Sequence, residues 1–337
     1  MRKLLWVLAV LAALIAAGWY LAEGWLAGRV QRELANQPQM RVAAVSPLRQ
    51  LSRFGLRLEA LALAGDGVQV DMPELDVWAT PWWVGSINAA LPPEFRAGPA
   101  GAMLPVSLTQ GQAGAYFSPL HGMALGRARL TLDNVAVAGR PVIGKGDVSA
   151  RLVGLGGDAP RAARASYALR LSVQRLALSS LTGTGGPGLP GENLGLSGPV
   201  MVWLDAAPGR GMLTGTATRP GLVGFESRDG LSVTLDDLSA VIRGRVQADA
   251  AGFAAGQAMI YTRDARALIA RLVAAGWVGQ RAGLLAGAAL TGIGSAGPVK
   301  GDPFPPAQDG EIRLPLTFAD GQARLGPLPL GPAPRLR

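Results

Sequence analysis

The sequence predicts a mostly β protein with a few helices: an N-terminal transmembrane helix, then a large antiparallel, curved or sandwich-like β body with a helical pair near residues 264–290. Three observations predict it. Leu4–Ala22 carries no charge, short stretches of alternating apolar and polar residues recur from Met40 onward, and Gly, Pro and Asp punctuate them in a chain of 337 residues with 47 Gly and 25 Pro. Alternation of period two marks strands with one buried face, and frequent turn residues between short strands favour antiparallel pairing.

At about 1.5 Å rise per residue, the uncharged run covers roughly the ~30 Å hydrocarbon core of a bilayer. Leu4, Leu11 and Ile15 lie along it, with Trp6 near one end and Trp19, Tyr20 and Trp25 near the other, where amphipathic rings suit the headgroup layers. Residues 1–27 are therefore read as a membrane anchor. Arg2 and Lys3 place its start in the cytoplasm and the rest of the chain outside it, in the periplasm of a Gram-negative host, although Arg29 and Arg32 beyond the other end run against the same rule. The alternatives are a buried core helix, which an apolar run on every face disfavours, and a cleaved signal peptide with Ala16-Ala17-Gly18 as the cleavage site. The apolar core of such a signal peptide would be longer than the usual ~7–15 residues.

Net charge is +9 and the pI about 10.8, which raises nucleic acid as a partner. The 29 Arg and 3 Lys are scattered, without a dense run or interleaved aromatics, so the charge fits a surface facing anionic lipid headgroups better. Cysteine is absent, which excludes thiol nucleophiles, thiolate metal sites and dithiol redox chemistry.

Beyond the anchor the sequence suggests a β-rich first half (28–181), a Gly/Pro-rich linker (182–199) and a β-rich second half (200–337). A short helical continuation at Ala27–Ala35 leads into the first half. An apolar-x-apolar-x-x-apolar-x-apolar figure occurs at Leu56, Leu58, Leu61 and Leu63, and again at Leu130, Leu132, Val135 and Val137. It returns at Leu171, Val173, Leu176 and Leu178, and less regularly at Val233, Leu235, Leu238 and Val241. The extra residue in its middle would turn the side chains to the other face unless a bulge or turn absorbs it. Chance resemblance among Leu-rich strands is the alternative to true repetition. Asp264 reads as an N-cap, with Leu268, Ile269, Leu272 and Val273 at helical spacing, then Trp277, a break at Gly279 and a second apolar set at Leu284, Leu285 and Leu290. These helices read as core packed on the sheet, with a membrane-surface or lid element as the alternative. Ile312, Leu314, Leu316 and Phe318 alternate up to Asp320-Gly321, a hairpin signal for a C-terminal pair. Ser295–Asp309 reads as a loop.

Motifs for chemistry are sparse. His121 is the single histidine, which excludes a His-rich metal site, and no serine elbow accompanies it. Gly139–Gly146 imitates a phosphate loop but ends in Gly where Ser or Thr must ligate magnesium. Gly183–Gly188 and Gly292–Gly297 match the dinucleotide spelling without a strand–helix context. Asp71, Glu74 and Asp76 read as the wet side of a strand instead of a calcium site, and Asp236-Asp237 is a second acidic spot.

Leu325-Gly326-Pro327-Leu328-Pro329-Leu330-Gly331-Pro332-Ala333-Pro334, after Asp320-Gly321 and the Leu268–Leu290 region, resembles the end of an alphaproteobacterial envelope family, domain of unknown function 2125. The Arg53-Phe54 step into the Leu56 strand and the Val77-Trp78-Ala79 strand leading through Pro81 and Ile87 to Pro92 are similar to its front. Gln50-Leu51-Ser52 stands where a Gly-Phe-Pro-like turn is expected. The resemblance implies an anchored periplasmic β protein, distantly similar to AsmA-like envelope proteins whose sheets shield lipid chains, and it brings no catalytic residues or cofactor.

The expected function is non-catalytic: lipid binding or transport, or envelope assembly, with the inner membrane, phospholipid or other envelope proteins as partners and no nucleic acid. Leu56, Leu58, Leu130, Leu132, Leu171 and Val173 would line an apolar groove, unless a second sheet closes over them as core. The alternative is an anchored scaffold binding another envelope protein through a sheet edge or the Trp82-Trp83 loop. A third reading is a hydrolase built on carboxylates.

Overall fold

In a computed structural model, the structure describes residues 23–34, 40–50, 53–65, 67–80, 85–177, 193–209, 211, 219–274, 303–326 and 328–336. The anchor residues Leu4, Trp6, Leu11, Ile15, Trp19 and Tyr20 lie outside them, as do Trp82-Trp83 and the second of the two expected helices. Among the described residues, no helix is long and apolar enough to cross a membrane. The β body is as expected: the described chain is dominated by strands, all paired antiparallel. It divides into two compact units, Met1–Arg140 and Pro141–Arg337.

In the first unit, residues 23–34 are helical (α1). The strands are β1 (Met40–Arg41), β2 (Ala44–Pro47), β3 (Phe54–Gly65), β4 (Val68–Ala79), β5 (Ser86–Ala90), β6 (Glu94–Pro99), β7 (Leu104–Ser107), β8 (Gln110–Ser118) and β9 (Ala124–Val137). The pairings reduce these to a six-lane meander. β1 and β2 run end to end along β3, β3 pairs with β4, β5 and β6 share the far side of β4, β8 and β7 pair with them, and β9 spans both.

Every lane is irregular at one level. Ala60 has φ +49° and Asn134 φ +50°, while Pro73 falls opposite Ala60 and the other lanes are interrupted at Ala43, at Pro92-Pro93 and at Leu108-Thr109. Because the lanes bulge together, register holds on either side: Leu58 opposes Leu75, and Leu61 opposes Met72. This absorbs the extra residue of the sequence figure, so Leu56, Leu58, Leu61 and Leu63 keep one face. A proline is tolerated there because a bulge does not need its missing N–H.

The second unit is a sequential meander. Its strands are β10 (Arg140–Val153), β11 (Ala165–Leu176), β12 (Leu194–Leu204), β13 (Leu222–Leu235), β14 (Leu238–Ala248), β15 (Ala254–Thr262), β16 (Ile312–Ala319), β17 (Gln322–Leu325) and β18 (Leu328–Pro332), each paired with the next. Arg175, at φ +54°, accompanies a bulge that keeps Leu176 in line with Leu171 and Val173. The fourth copy of the figure has a different cause: Leu235 and Leu238 face each other across the hairpin turn Asp236-Asp237.

Within each unit the described strands form one meander. The pairing of each lane with its neighbour gives one continuous antiparallel sheet in each unit, where the sequence reading left a sandwich open. Of the expected linker Thr182–Pro199, the part from Leu194 is strand β12, held between β11 and β13.

The helix α2 (Ala265–Ala274) packs Ala265 and Ile269 against Leu314 and Leu325, with Leu268, Val273, Ile260 and Ile312 around them. Asp264 sits just before it and its carbonyl accepts the Leu268 amide. Near its C-terminal end, Arg271 is 2.5 Å from Asp236 and 2.7 Å from Asp237, which ties the helix to the β13–β14 turn. The expected C-terminal hairpin is formed by β16 and β17 around Asp320-Gly321.

Candidate functional site

Residues directly opposite each other in a sheet share a face, so register alone sorts the first unit into two surfaces. One row reads Leu56, Val77, Ala89, Ala113, Leu130 across β3, β4, β5, β8 and β9. The next pairs Leu58 with Leu75 and Gly111 with Leu132, and Leu91 lies between them, packed on the Leu58 cluster and donating its N–H to the Gly111 carbonyl at 2.9 Å. Further along come Leu61 with Met72, Phe95 with Val106 and Val137, and Leu63 with Val70, Ala97 and Leu104. No charged residue stands in these rows.

The adjacent row on the other face is Ser46, Arg57, Asp76, Ala90, Gln112, Thr131. The Arg57 guanidinium donates to both Asp76 oxygens, at 2.7 and 2.9 Å, and lies 3.7 Å from Glu74. The hydrogen bond to Asp76 and the carboxylate charge raise the Arg57 pKa further. Asp71, Glu74 and Asp76 are thus placed on the polar surface, as read from the sequence.

Burial across the apolar face is uneven. Leu56 is 7% exposed, and Leu61, at 1%, and Leu58, at 8%, share a cluster that Leu34 of α1 joins. At the opposite side Leu130 is 38% exposed and Ile87 40%. Between these lie Ala89, Gly111 and Ala113, where a Cβ added to Gly111 would meet the Leu91 Cβ at 2.9 Å. Leu91 and Leu108 therefore fill the space over Gly111, and the exposed part of the face lies at Leu130 and Ile87.

The second unit repeats the division. Gly146, Val173, Leu196, Val233, Ala240, Thr262 and Ile312 form one row, and Val148, Leu171 and Gly198 begin another. The polar group in it is neutral and satisfied: the Thr262 hydroxyl donates to the Ser239 carbonyl at 2.8 Å and accepts the Asp264 N–H at 3.1 Å. Leu171 and Val173 are half-buried, and α2 covers the β15–β17 end. Leu56, Leu58, Leu130 and Leu132 therefore share one face of their unit, and Leu171 and Val173 share the corresponding face of theirs.

The other sequence-singled residues resolve locally. His121 ends a 3-10 turn (Pro119–His121) in which its Nδ1 lies 2.9 Å from Ser118 Oγ, a contact that closes the turn. Among the described residues no group of acidic residues and histidine is arranged to hold a metal ion. Most of the imitated phosphate loop, from Arg140 to Gly146, is strand β10.

One residue that sequence reading passed over stands out. Glu23 in α1 is fully buried, and its carboxylate accepts the Arg49 N–H and the Gly55 N–H, both at 3.1 Å. It joins the helix to the turn that opens β3. A charge directly after a long apolar run is the signal that could have pointed to it.

No curated protein matches the chain, and no solved structure does. The model of a family described as uncharacterised proteins conserved in bacteria matches residues 52–334, which takes in the strands of both units from β3 to β18. By that match, the chain belongs to the DUF2125 family.

Proposed function

We propose that this is a single-pass inner-membrane protein whose C-terminal body lies in the periplasm, where its apolar faces bind envelope lipid or help move it, without a catalytic group. The observation that carries the reading is the charge-free face of the first unit, with Leu130 and Ile87 left open at one side. Ten methylenes laid on such a face contribute roughly 8 kcal/mol at ~0.8 kcal/mol per CH₂, before the cost of ordering the chain. An apolar face without polar anchors discriminates weakly among acyl chains, as expected for transfer. The AsmA-like comparison belongs to the same reading, as does a role in envelope assembly. The scaffold alternative would use a sheet edge in place of the face.

The test is mass spectrometry of lipids carried by residues 23–337 isolated without detergent, beside the same body with Leu130→Asp and Leu132→Asp. The expected result is bound phospholipid in the first and a loss of at least several-fold in the second. The same lipids on both, or none on either, would contradict the reading.

A further inference from the structure

The polar face of the second unit carries a feature that the lipid reading does not use. Along one register row lie Arg151, Ala168, Met201, Glu226, Arg245, Gln257, Thr317 and Arg324. Above β13–β15 this face is bordered by Pro303, Phe304 and Pro305, which with it line an open cavity of about 630 Å³ that includes Arg228, Arg243 and Arg245. This border is fastened to the sheet, the Tyr261 hydroxyl donating to the Pro305 carbonyl at 2.7 Å.

The three arginines differ in how their charge is met. Arg228 is neutralised by Glu226, at 2.7 Å, and by Asp158. Arg243 and Arg245 have no described carboxylate within 4 Å, although the Arg245 charge is felt by the Asp158 carboxylate that Arg228 holds. Arg245 lies 4.9 Å from the Trp203 ring centroid and donates to the Asp158 backbone carbonyl, whereas Arg243 lies 5.8 Å from the Tyr261 ring and donates to the Arg228 carbonyl at 3.5 Å. Aromatic faces and neutral carbonyls hold a guanidinium in place without cancelling its charge, and each retains several N–H donors. Two oriented guanidiniums on alternate residues of one strand, with Gln247 and Gln257 beside them, match the oxygens of a tetrahedral anion. The volume exceeds that of a bare ion, and Phe304 with its flanking prolines offers an apolar wall.

We infer that this cavity binds an organic phosphate, with Arg243 and Arg245 on the phosphate group and Phe304 against its carbon skeleton. The site lies on the polar face and stands or falls independently of lipid on the apolar one. The phosphate can come from a lipid headgroup or from a soluble ester, and the test separates them.

The full chain in non-ionic detergent is titrated calorimetrically with glycerol 3-phosphate and with inorganic phosphate, and in a parallel arm with nanodiscs of phosphatidylglycerol in phosphatidylcholine. Glycerol 3-phosphate is expected to bind, and the variant carrying Arg243→Gln with Arg245→Gln to bind at least tenfold more weakly. Arg324→Gln, outside the cavity, should bind as the parent does. Tighter binding of phosphatidylglycerol assigns a lipid headgroup, and tighter binding of glycerol 3-phosphate a soluble ester. A second readout needs no variant: phenylglyoxal modification of Arg243 and Arg245, mapped by mass spectrometry, should slow several-fold when glycerol 3-phosphate is added. Absence of both binding and protection, or binding unchanged in a double variant that melts like the parent, would overturn the site.

Discussion

Asn134 and Ala60 hold left-handed backbone in the middle of long strands, a conformation that costs an ordinary L residue about 1–2 kcal/mol and a β-branched one more. Asn134→Gly should leave the melting temperature unchanged or slightly raised, while Asn134→Val should lower stability by about 1–2 kcal/mol in urea titration. Equal effects of the two would mean that the bulge does not need its left-handed residue. Asp158 supplies a pH-dependent contact. Hydrogen bonds from its own backbone amide and from Arg228 depress its pKa below the ordinary carboxylate range. A depressed acid contributes its stability above its unfolded pKa of ~3.9 and loses it as pH falls through the lower folded value. Amide exchange in residues 154–164 should therefore quicken, relative to intrinsic rates, only on acidification below about pH 4. Asp158→Asn should show the faster exchange already at neutral pH.

Among the elements, α1 depends on one buried carboxylate. Replacing Glu23 with Ala removes the acceptor for two amides, of which Gly55 is buried, at a cost of about 1–3 kcal/mol. Tryptic cleavage after Arg49 and Arg53 should speed up in Glu23→Ala and keep the parent's rate in Glu33→Ala, an exposed acid of the same helix; equal rates would remove Glu23 from the docking role. The strands were legible where the sequence is rich in leucine. The doubled gap in Leu56-x-Leu58-x-x-Leu61-x-Leu63 signals the bulge, and Ala60 provides it. The same figure passes unnoticed at Val70, Met72, Leu75 and Val77, and at Val106, Leu108, Gly111 and Ala113, because Met, Gly and Ala carry little hydrophobic signal on a pleated face. The hairpin at Leu235–Leu238 imitates the figure because a two-residue turn and a two-residue bulge have the same spelling. Asp236-Asp237 could not be assigned from sequence, since its partner, Arg271, comes from α2 in a later segment.

For the molecule as a whole, the apolar patterning is carried by both units, each described by its own meander with one charge-free face and one polar face. Sequence alternation predicted the division of faces, because period two survives wherever bulges fall in step. It could not tell whether the face is covered, since exposure depends on what packs above it. Leu58 and Leu130 have the same residue type and the same face, yet one is buried and the other open. The arginine cavity was illegible for a related reason: its lining joins β13, β14 and β15 to residues 303–305, beyond α2 in the chain.

The most direct test of lipid on the apolar face uses two neighbouring residues. Leu130 points to that face and Arg129 to the other, one residue apart in β9. A photoreactive benzophenone amino acid is introduced at each position of the full chain and activated in living cells. Mass spectrometry should then find phospholipid adducts at position 130 and none above background at 129. Adducts at both positions alike, or at neither while the protein is folded and abundant, would contradict it.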